Sequence, residues 1–196
     1  DLYIEGVQNN GIINHYEYII NSEGTIEIRH VLKPEGKMPL WFPRIGLTLT
    51  VSDALDQVKW YGRGPQENYP DRKTGYPMGI YASTVQAMYE PYLMPQDYGL
   101  RTDVRWLQLT TDKGIGLQFK MNEWFNFNIY PYSTDNLTKA MYTYQLQKQK
   151  GMTLNLDYAT TGVGCTARGV FGAYKAMPQE YRRTISIRSE ERRVGK

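Results

Sequence analysis

The sequence predicts an all-β fold, a large antiparallel β-sandwich, on three observations. Its apolar residues alternate with period two, turn chemistry separates the alternating runs, and helical periodicity is almost absent. Asp1-Leu2-Tyr3-Ile4 already reads as a strand, so the natural N-terminus is expected to lie elsewhere and the chain to be an excised piece. Asn10-Gly11 and Ser22-Glu23-Gly24 read as turns. In Thr25–Val31, Ile26 and Ile28 oppose Thr25, Glu27 and Arg29. In Arg44–Val51, Ile45, Leu47, Leu49 and Val51 form the apolar face. Asp112-Lys113-Gly114 joins two strand-like runs as a hairpin. The second run carries Ile115, Leu117, Phe119 and Met121 and continues through Phe125, Phe127 and Ile129. Lys150-Gly151 is another turn, and Ile185 and Ile187 mark a last strand. Asn136–Lys148 is the one segment expected to hold a short helix. Gly62–Gly79 and Glu90–Arg101 are rich in Gly, Pro, Asn and Tyr and too long for simple turns, which points to functional or packed loops.

At 196 residues the chain reads as one domain over 1–196, with 41% hydrophobic and 22% charged residues, enough for a real core. Its 17 tyrosines fit half-buried sheet surfaces, and equally surfaces that face sugars or proteins. The net charge of +3 forms no stripe. Arginines gather only at Arg182-Arg183 and from Arg188 onward, where Glu190 and Glu191 offset them, so 189–196 reads as a loose charged tail. Nucleic acid is excluded as a partner because the continuous basic face it requires is missing. No apolar run reaches membrane-spanning length, so no membrane partner is expected. Cys165 is the only cysteine, and a buried, inert thiol is expected there. With only His15 and His30 beside it, no metal site is expected.

Catalytic chemistry is hard to place. Neither histidine is near Cys165 in sequence, and no phosphate-cradling loop occurs. A retaining glycosidase needs two carboxyl groups about 5–5.5 Å apart. Glu67, Asp71, Asp97, Asp103, Glu123 and Asp157 are the carboxylates available. Asn122-Glu123 has the form of an acid/base pair but sits in a sandwich strand, where a solvated edge carboxylate is expected. No catalytic residue is assigned.

Four motifs carry a resemblance. Trp60-Tyr61-Gly62-Arg63-Gly64-Pro65-Gln66-Glu67-Asn68-Tyr69-Pro70-Asp71-Arg72 is the most specific. Pro91-Tyr92-Leu93-Met94-Pro95-Gln96-Asp97-Tyr98-Gly99-Leu100-Arg101-Thr102-Asp103-Val104-Arg105-Trp106 follows at the right distance. Phe127-Asn128-Ile129-Tyr130-Pro131-Tyr132-Ser133 and Leu156-Asp157-Tyr158-Ala159-Thr160-Thr161-Gly162-Val163-Gly164 complete the set. In order and spacing the chain resembles the C-terminal, small-chain domain of bacterial β-galactosidases of glycoside hydrolase family 2, roughly from Ile26 to Ile187.

That resemblance implies a galactose mutarotase-like supersandwich, truncated at its N-terminal side, in a larger enzyme that hydrolyses terminal β-D-galactosides. The family's catalytic glutamates and magnesium ligands lie on a barrel outside this sequence, so no cofactor is expected in this segment. The implied partners are the remainder of the parent chain, the galactoside and other copies of the protein. The compartment stays open between bacterial cytoplasm and periplasm. In the family, a loop after the Gly-x-Gly step closes part of the galactose pocket, and some members place a stacking tryptophan where this chain has Gly169. Arg168 and Phe171 become the candidate substrate contacts, with Phe171 open to a second reading as a core anchor. Glu67, Asn68, Asp71, Arg72, Arg101 and Arg105 are the candidate structural residues of the signature loops. Glu67, Asp71 and Asp97 are expected to face Arg72, Arg101 and Arg105. The alternative is a stand-alone carbohydrate-binding or interaction module. A mutarotase-like enzyme would need a histidine and a glutamate to converge, and His15 and His30 lie outside the motifs.

Overall fold

The computed structural model describes residues 1–6, 10–165 and 169–190. In chain order its strands are β1 (Leu2–Glu5), β2 (Gly11–Ile20), β3 (Thr25–Glu35), β4 (Arg44–Val51), β5 (Gln57–Arg63), β6 (Met78–Thr84), β7 (Arg101–Thr110), β8 (Gly116–Tyr130), β9 (Met152–Thr160) and β10 (Tyr181–Glu190). All pair antiparallel, in the order β1-β2-β3-β10-β8-β7-β5-β6, with β9 joined to β8 and β4 to β9.

The long strand β8 makes this a sandwich. Its first half pairs with β10 from Gly116 to Met121, and its second half pairs with β9 from Asn126 to Tyr130. Two branches therefore leave the same edge of β8 and fold over each other. Val58 and Trp60, Leu107 and Leu109, Phe119, Phe125, Phe127 and Ile129, and Leu154 and Leu156 bury their side chains in one cluster between the layers. Ile28, Leu32, Ile45, Tyr158, Tyr181 and Ile185 form a second cluster between the β3–β10 and β4–β9 branches. In β4 the alternation read from Ile45 to Val51 holds, although a bulge between Ile45 and Gly46 shifts the register against β9.

His30 lies in this second region, 1% exposed. Its ring nitrogens bond the Tyr158 hydroxyl at 2.7 Å and Asn14 Oδ1 at 3.0 Å, and Tyr16 stacks on it. Burial pushes the imidazole down to about 4. It is a satisfied core histidine.

The helix is α1 (Thr134–Lys139), two residues ahead of the predicted segment. The Ser133 hydroxyl accepts from the Asn136 N–H at 3.0 Å and sets the start. A single 3₁₀ turn at Thr143–Gln145 follows instead of a longer helix. Strand β10 takes in Ser189 and Glu190, the first residues of the expected tail, while 191–196 lie outside the described residues.

Candidate functional site

The motif loop between β5 and β6 lies across the start of β7. The Asn68 N–H donates to the Leu100 carbonyl at 2.8 Å. Asn68 Oδ1 accepts from the Thr102 N–H at 3.1 Å and from the Thr102 hydroxyl at 2.5 Å. Glu67 is 6% exposed and surrounded by donors: the Gly99 N–H at 2.9 Å, Arg72 Nη2 at 2.9 Å and the Tyr92 hydroxyl. An irregular loop has no ladder of its own, so these side chains supply its hydrogen bonds.

The two loops do join, but through other partners than the sequence pairing implied. Of the expected acid–arginine pairs among these loops, Glu67 with Arg72 forms, and it lies within one loop. Asp97 instead accepts from Arg44 Nη1 at 3.3 Å, Asn128 Nδ2 at 2.9 Å and the Tyr130 hydroxyl at 3.0 Å. Arg101 is 3% exposed, donates to the Gly99 carbonyl at 2.8 Å and lies over the Trp60 ring at 5.4 Å. Burial lowers its pKa to about 10, against the pull of Glu90 and Glu67. Arg105 lies over the Trp124 ring at 3.6 Å. An arginine packed on an aromatic face gains from the ring quadrupole and needs no carboxylate.

Two ion-pair centres escaped the sequence reading. Asp103 has the left-handed φ of 56° and accepts from Arg63 Nε at 2.6 Å and Lys73 Nζ at 2.8 Å. Burial pushes its carboxyl up, but those two cations outweigh burial and hold it below the usual range. Asp157, 2% exposed, accepts from Arg44 Nη2 at 2.6 Å and Nε at 3.2 Å. Burial pushes Asp157 up to about 6 while Arg44 pulls against it. Arg44 feels the opposite balance: burial works against its charge, yet Asp157 and Asp97 together raise it above its usual value. The asymmetry follows from exposure and count, since the Arg44 side chain is 26% exposed and serves two acids. Arg44 lies opposite the apolar face of the Arg44–Val51 alternation. The signal of its buried partners was a carboxylate at Asp157 and an amide at Asn128 inside otherwise apolar strands.

Among the described residues Asp71 pairs with no arginine. Its carboxylate accepts the Gly164 N–H at 2.7 Å and the Val163 N–H at 3.1 Å, which ties the first motif to the loop after β9. A Cβ at Gly162 would sit 2.3 Å from the Asp71 carboxyl carbon, so only glycine fits that approach. The Gly162 N–H closes the far side of the loop on the Tyr174 carbonyl at 2.8 Å. Beside it the Thr161 hydroxyl donates to the Phe42 carbonyl at 2.6 Å and accepts from the Ala176 N–H at 2.9 Å. The chain at 41–43 is thereby held against the chain at 174–176.

Phe171 opens the 3₁₀ turn Gly172–Tyr174 and is 65% exposed, which overturns its reading as a core anchor. Trp41, missed in the sequence, is partly exposed, with Lys175 Nζ 5.6 Å from its ring centre. Arg168 lies outside the described residues. Cys165 is exposed rather than buried, and it lies beyond the end of β9. Glu123 is an exposed strand carboxylate paired with Arg183 at 3.0 Å. Among the described residues no three His, Cys, Asp or Glu side chains gather as metal ligands.

These loops coincide with a known sequence family. The model of the β-galactosidase small chain matches residues 4–187. The β-galactosidase of Priestia megaterium is 36% identical over 162 residues, which are 82% of this chain and 16% of that protein. That of Vibrio cholerae is 39% identical over 122 residues, 62% of this chain and 11% of its own. That of Pseudoalteromonas haloplanktis is 33% identical over 159 residues, 79% and 14% respectively. The chain thus spans 16% or less of the length of these curated relatives. With the family model matched across almost the whole chain and the motif loops folded onto one another, the chain belongs to the β-galactosidase small-chain family.

Proposed function

We propose that this chain is the small-chain part of a bacterial β-galactosidase of glycoside hydrolase family 2, that it packs on the catalytic barrel of its parent, and that it lends the Gly162–Phe171 loop to the galactose pocket. It has no turnover of its own in this reading. The parent's magnesium and catalytic glutamates belong to the rest of the protein. The observation that carries the reading is the way the loop is held. Its root is fixed by two charge-assisted hydrogen bonds from backbone N–H groups to Asp71, while Phe171 beyond it is exposed. A ring presented from a fixed root offers a flat apolar face to the C–H side of a sugar, the service that a tryptophan at Gly169 would provide.

The test is kinetic. On a chromogenic galactoside, the isolated chain is expected to give no turnover above background. In the full-length enzyme Phe171→Ala is expected to lower kcat/KM by an amount worth about 1–2 kcal/mol, with the melting temperature unchanged. Unaltered kinetics would remove Phe171 from the pocket. Turnover by the isolated chain that disappears in Glu123→Gln would place catalysis in this segment.

A further inference from the structure

At the end of β9 opposite the Gly162–Phe171 loop, a cavity of about 600 Å³ opens between the β4–β5 connection and the chain that follows β8. Strand β9 has nine residues, so at about 3.3 Å per residue the two ends are roughly 26 Å apart. Tyr89, Tyr98 and Tyr132 form its aromatic wall, and Asp53, Asp56 and Lys148 its polar rim. We propose that this cavity binds a neutral sugar ring, a pyranose.

The volume is that of a small-molecule site. Tyr89 and Tyr98 meet edge to face at 5.3 Å, which fixes the wall. Tyr98 and Tyr132 use backbone carbonyls, not hydroxyls, to accept from Asn128 and Thr153. Among the described residues the hydroxyls of Tyr89, Tyr98 and Tyr132 make no hydrogen bond, whereas those of Tyr92, Tyr130 and Tyr158 are engaged. Tyr98 is 2% exposed, so the half-buried Tyr89 and Tyr132 are the wall residues whose phenols can donate to and accept from a ligand. The rim decides its charge. Two carboxylates repel an anion, and the Lys148 ammonium beside them opposes a cation. Mixed donors and acceptors over aromatic faces match a ring that carries hydroxyls on its edge and C–H groups on its faces. The inference does not rest on the proposed galactosidase role.

The test is titration of the full-length protein by calorimetry and ligand-observed NMR. The probes are glucose and cellobiose, which contain no galactose, with putrescine and inorganic phosphate as the cationic and anionic arms. Saturable sugar binding is expected with Kd on the order of 1–10 mM. Asp53→Ala, Lys148→Ala and Tyr132→Ala should each weaken it at least about fivefold, since each removes a direct contact. Asp53 and Lys148 are exposed, so those two variants decide the matter if Tyr132→Ala fails to fold. Absence of saturation up to on the order of 100 mM overturns the proposal. So does preference for putrescine or phosphate, or sugar binding indifferent to Asp53→Ala and Lys148→Ala.

Discussion

Replacing Arg44 by alanine should expose the electrostatic cost of the buried polar layer between β4, β8 and β9. The guanidinium bonds Asp157 at 2.6 and 3.2 Å, Asp97 at 3.3 Å and Asn128 Oδ1 at 3.2 Å. Asp97 keeps Asn128, Tyr130 and partial solvent exposure when the arginine goes. Among the described residues Asp157 keeps only the Thr160 hydroxyl, at 3.3 Å, with its side chain 2% exposed. A buried carboxylate stripped of its cation costs about 3–5 kcal/mol. At about 2–4 °C per kcal/mol for a chain of this size, the melting temperature should fall by roughly 6–20 °C at pH 8.

The sign of the pH dependence follows from Asp157. Its folded pKa, about 6, lies above the ordinary 3.8, so its contribution is fully present below about pH 4 and is lost as pH rises through 6. Without Arg44 the folded pKa climbs further and the window extends through neutrality. The deficit of Arg44→Ala should therefore be larger at pH 8 than at pH 5, where the carboxyl can take up a proton. Asp157→Asn in the same background should recover part of the loss at pH 8. Thermal melts of the parent and the two variants at both pH values check this. A melting point for Arg44→Ala within about 1 °C of the parent at pH 8 would refute the reasoning, because no net charge would then have been left buried.

Asp71→Ala and Gly162→Ala should both release the root of the loop after β9, the first by removing the acceptor and the second by driving a Cβ into the carboxylate; faster hydrogen exchange at the Val163 and Gly164 amides is the readout, and unchanged exchange would mean the contact carries no load. Arg101→Ala should cost several times more stability than Arg105→Ala. Arg101 is 3% exposed over Trp60, where truncation leaves a cavity of about 2–5 kcal/mol, while half-buried Arg105 loses a stacking contact of about 1 kcal/mol. His30 should stay neutral in the folded protein well below pH 6. Its folded pKa, about 4, lies under the ordinary 6.5, so its share of stability is present above pH 6.5 and is lost as pH falls through 4. An imidazole NMR titration with its midpoint near 6.5 would contradict the burial argument.

The strands were legible because a sheet with one buried face writes its period directly into the chain. Ile45, Leu47, Leu49 and Val51 face Ala159, Leu156, Leu154 and Met152 across one ladder. What could not be read was β8 serving two branches. A strand of fifteen residues has the same alternation whether one neighbour or two lie along its edge, and the choice is made by β9 and β10 arriving from far along the chain. The loops were legible as units but not in their contacts. Opposite charges in adjacent motifs invited pairing, yet Arg101 and Arg105 went to Trp60 and Trp124 because each guanidinium lies where a β7 residue can reach an indole. Composition shows which charges are available, and strand register decides which can meet.

Asp71 carries this point to the candidate site. In the sequence it stands 93 residues before Gly164 and reads as one more loop acid. In the fold it is the acceptor for two consecutive N–H groups, and the residue before them must be glycine for the carboxylate to approach. The first motif therefore positions the fourth. Glu67 and Asn68 fix the β5–β6 loop against β7, Asp71 extends from that fixed loop, and the chain toward Phe171 takes its starting direction from Asp71. Changes in the β5–β6 loop should reach the Val163 and Gly164 amides through Asp71. Through Glu67, Asn68 and Asp71 the first motif thus joins the second and the fourth, although Asp71 and Gly164 stand 93 residues apart.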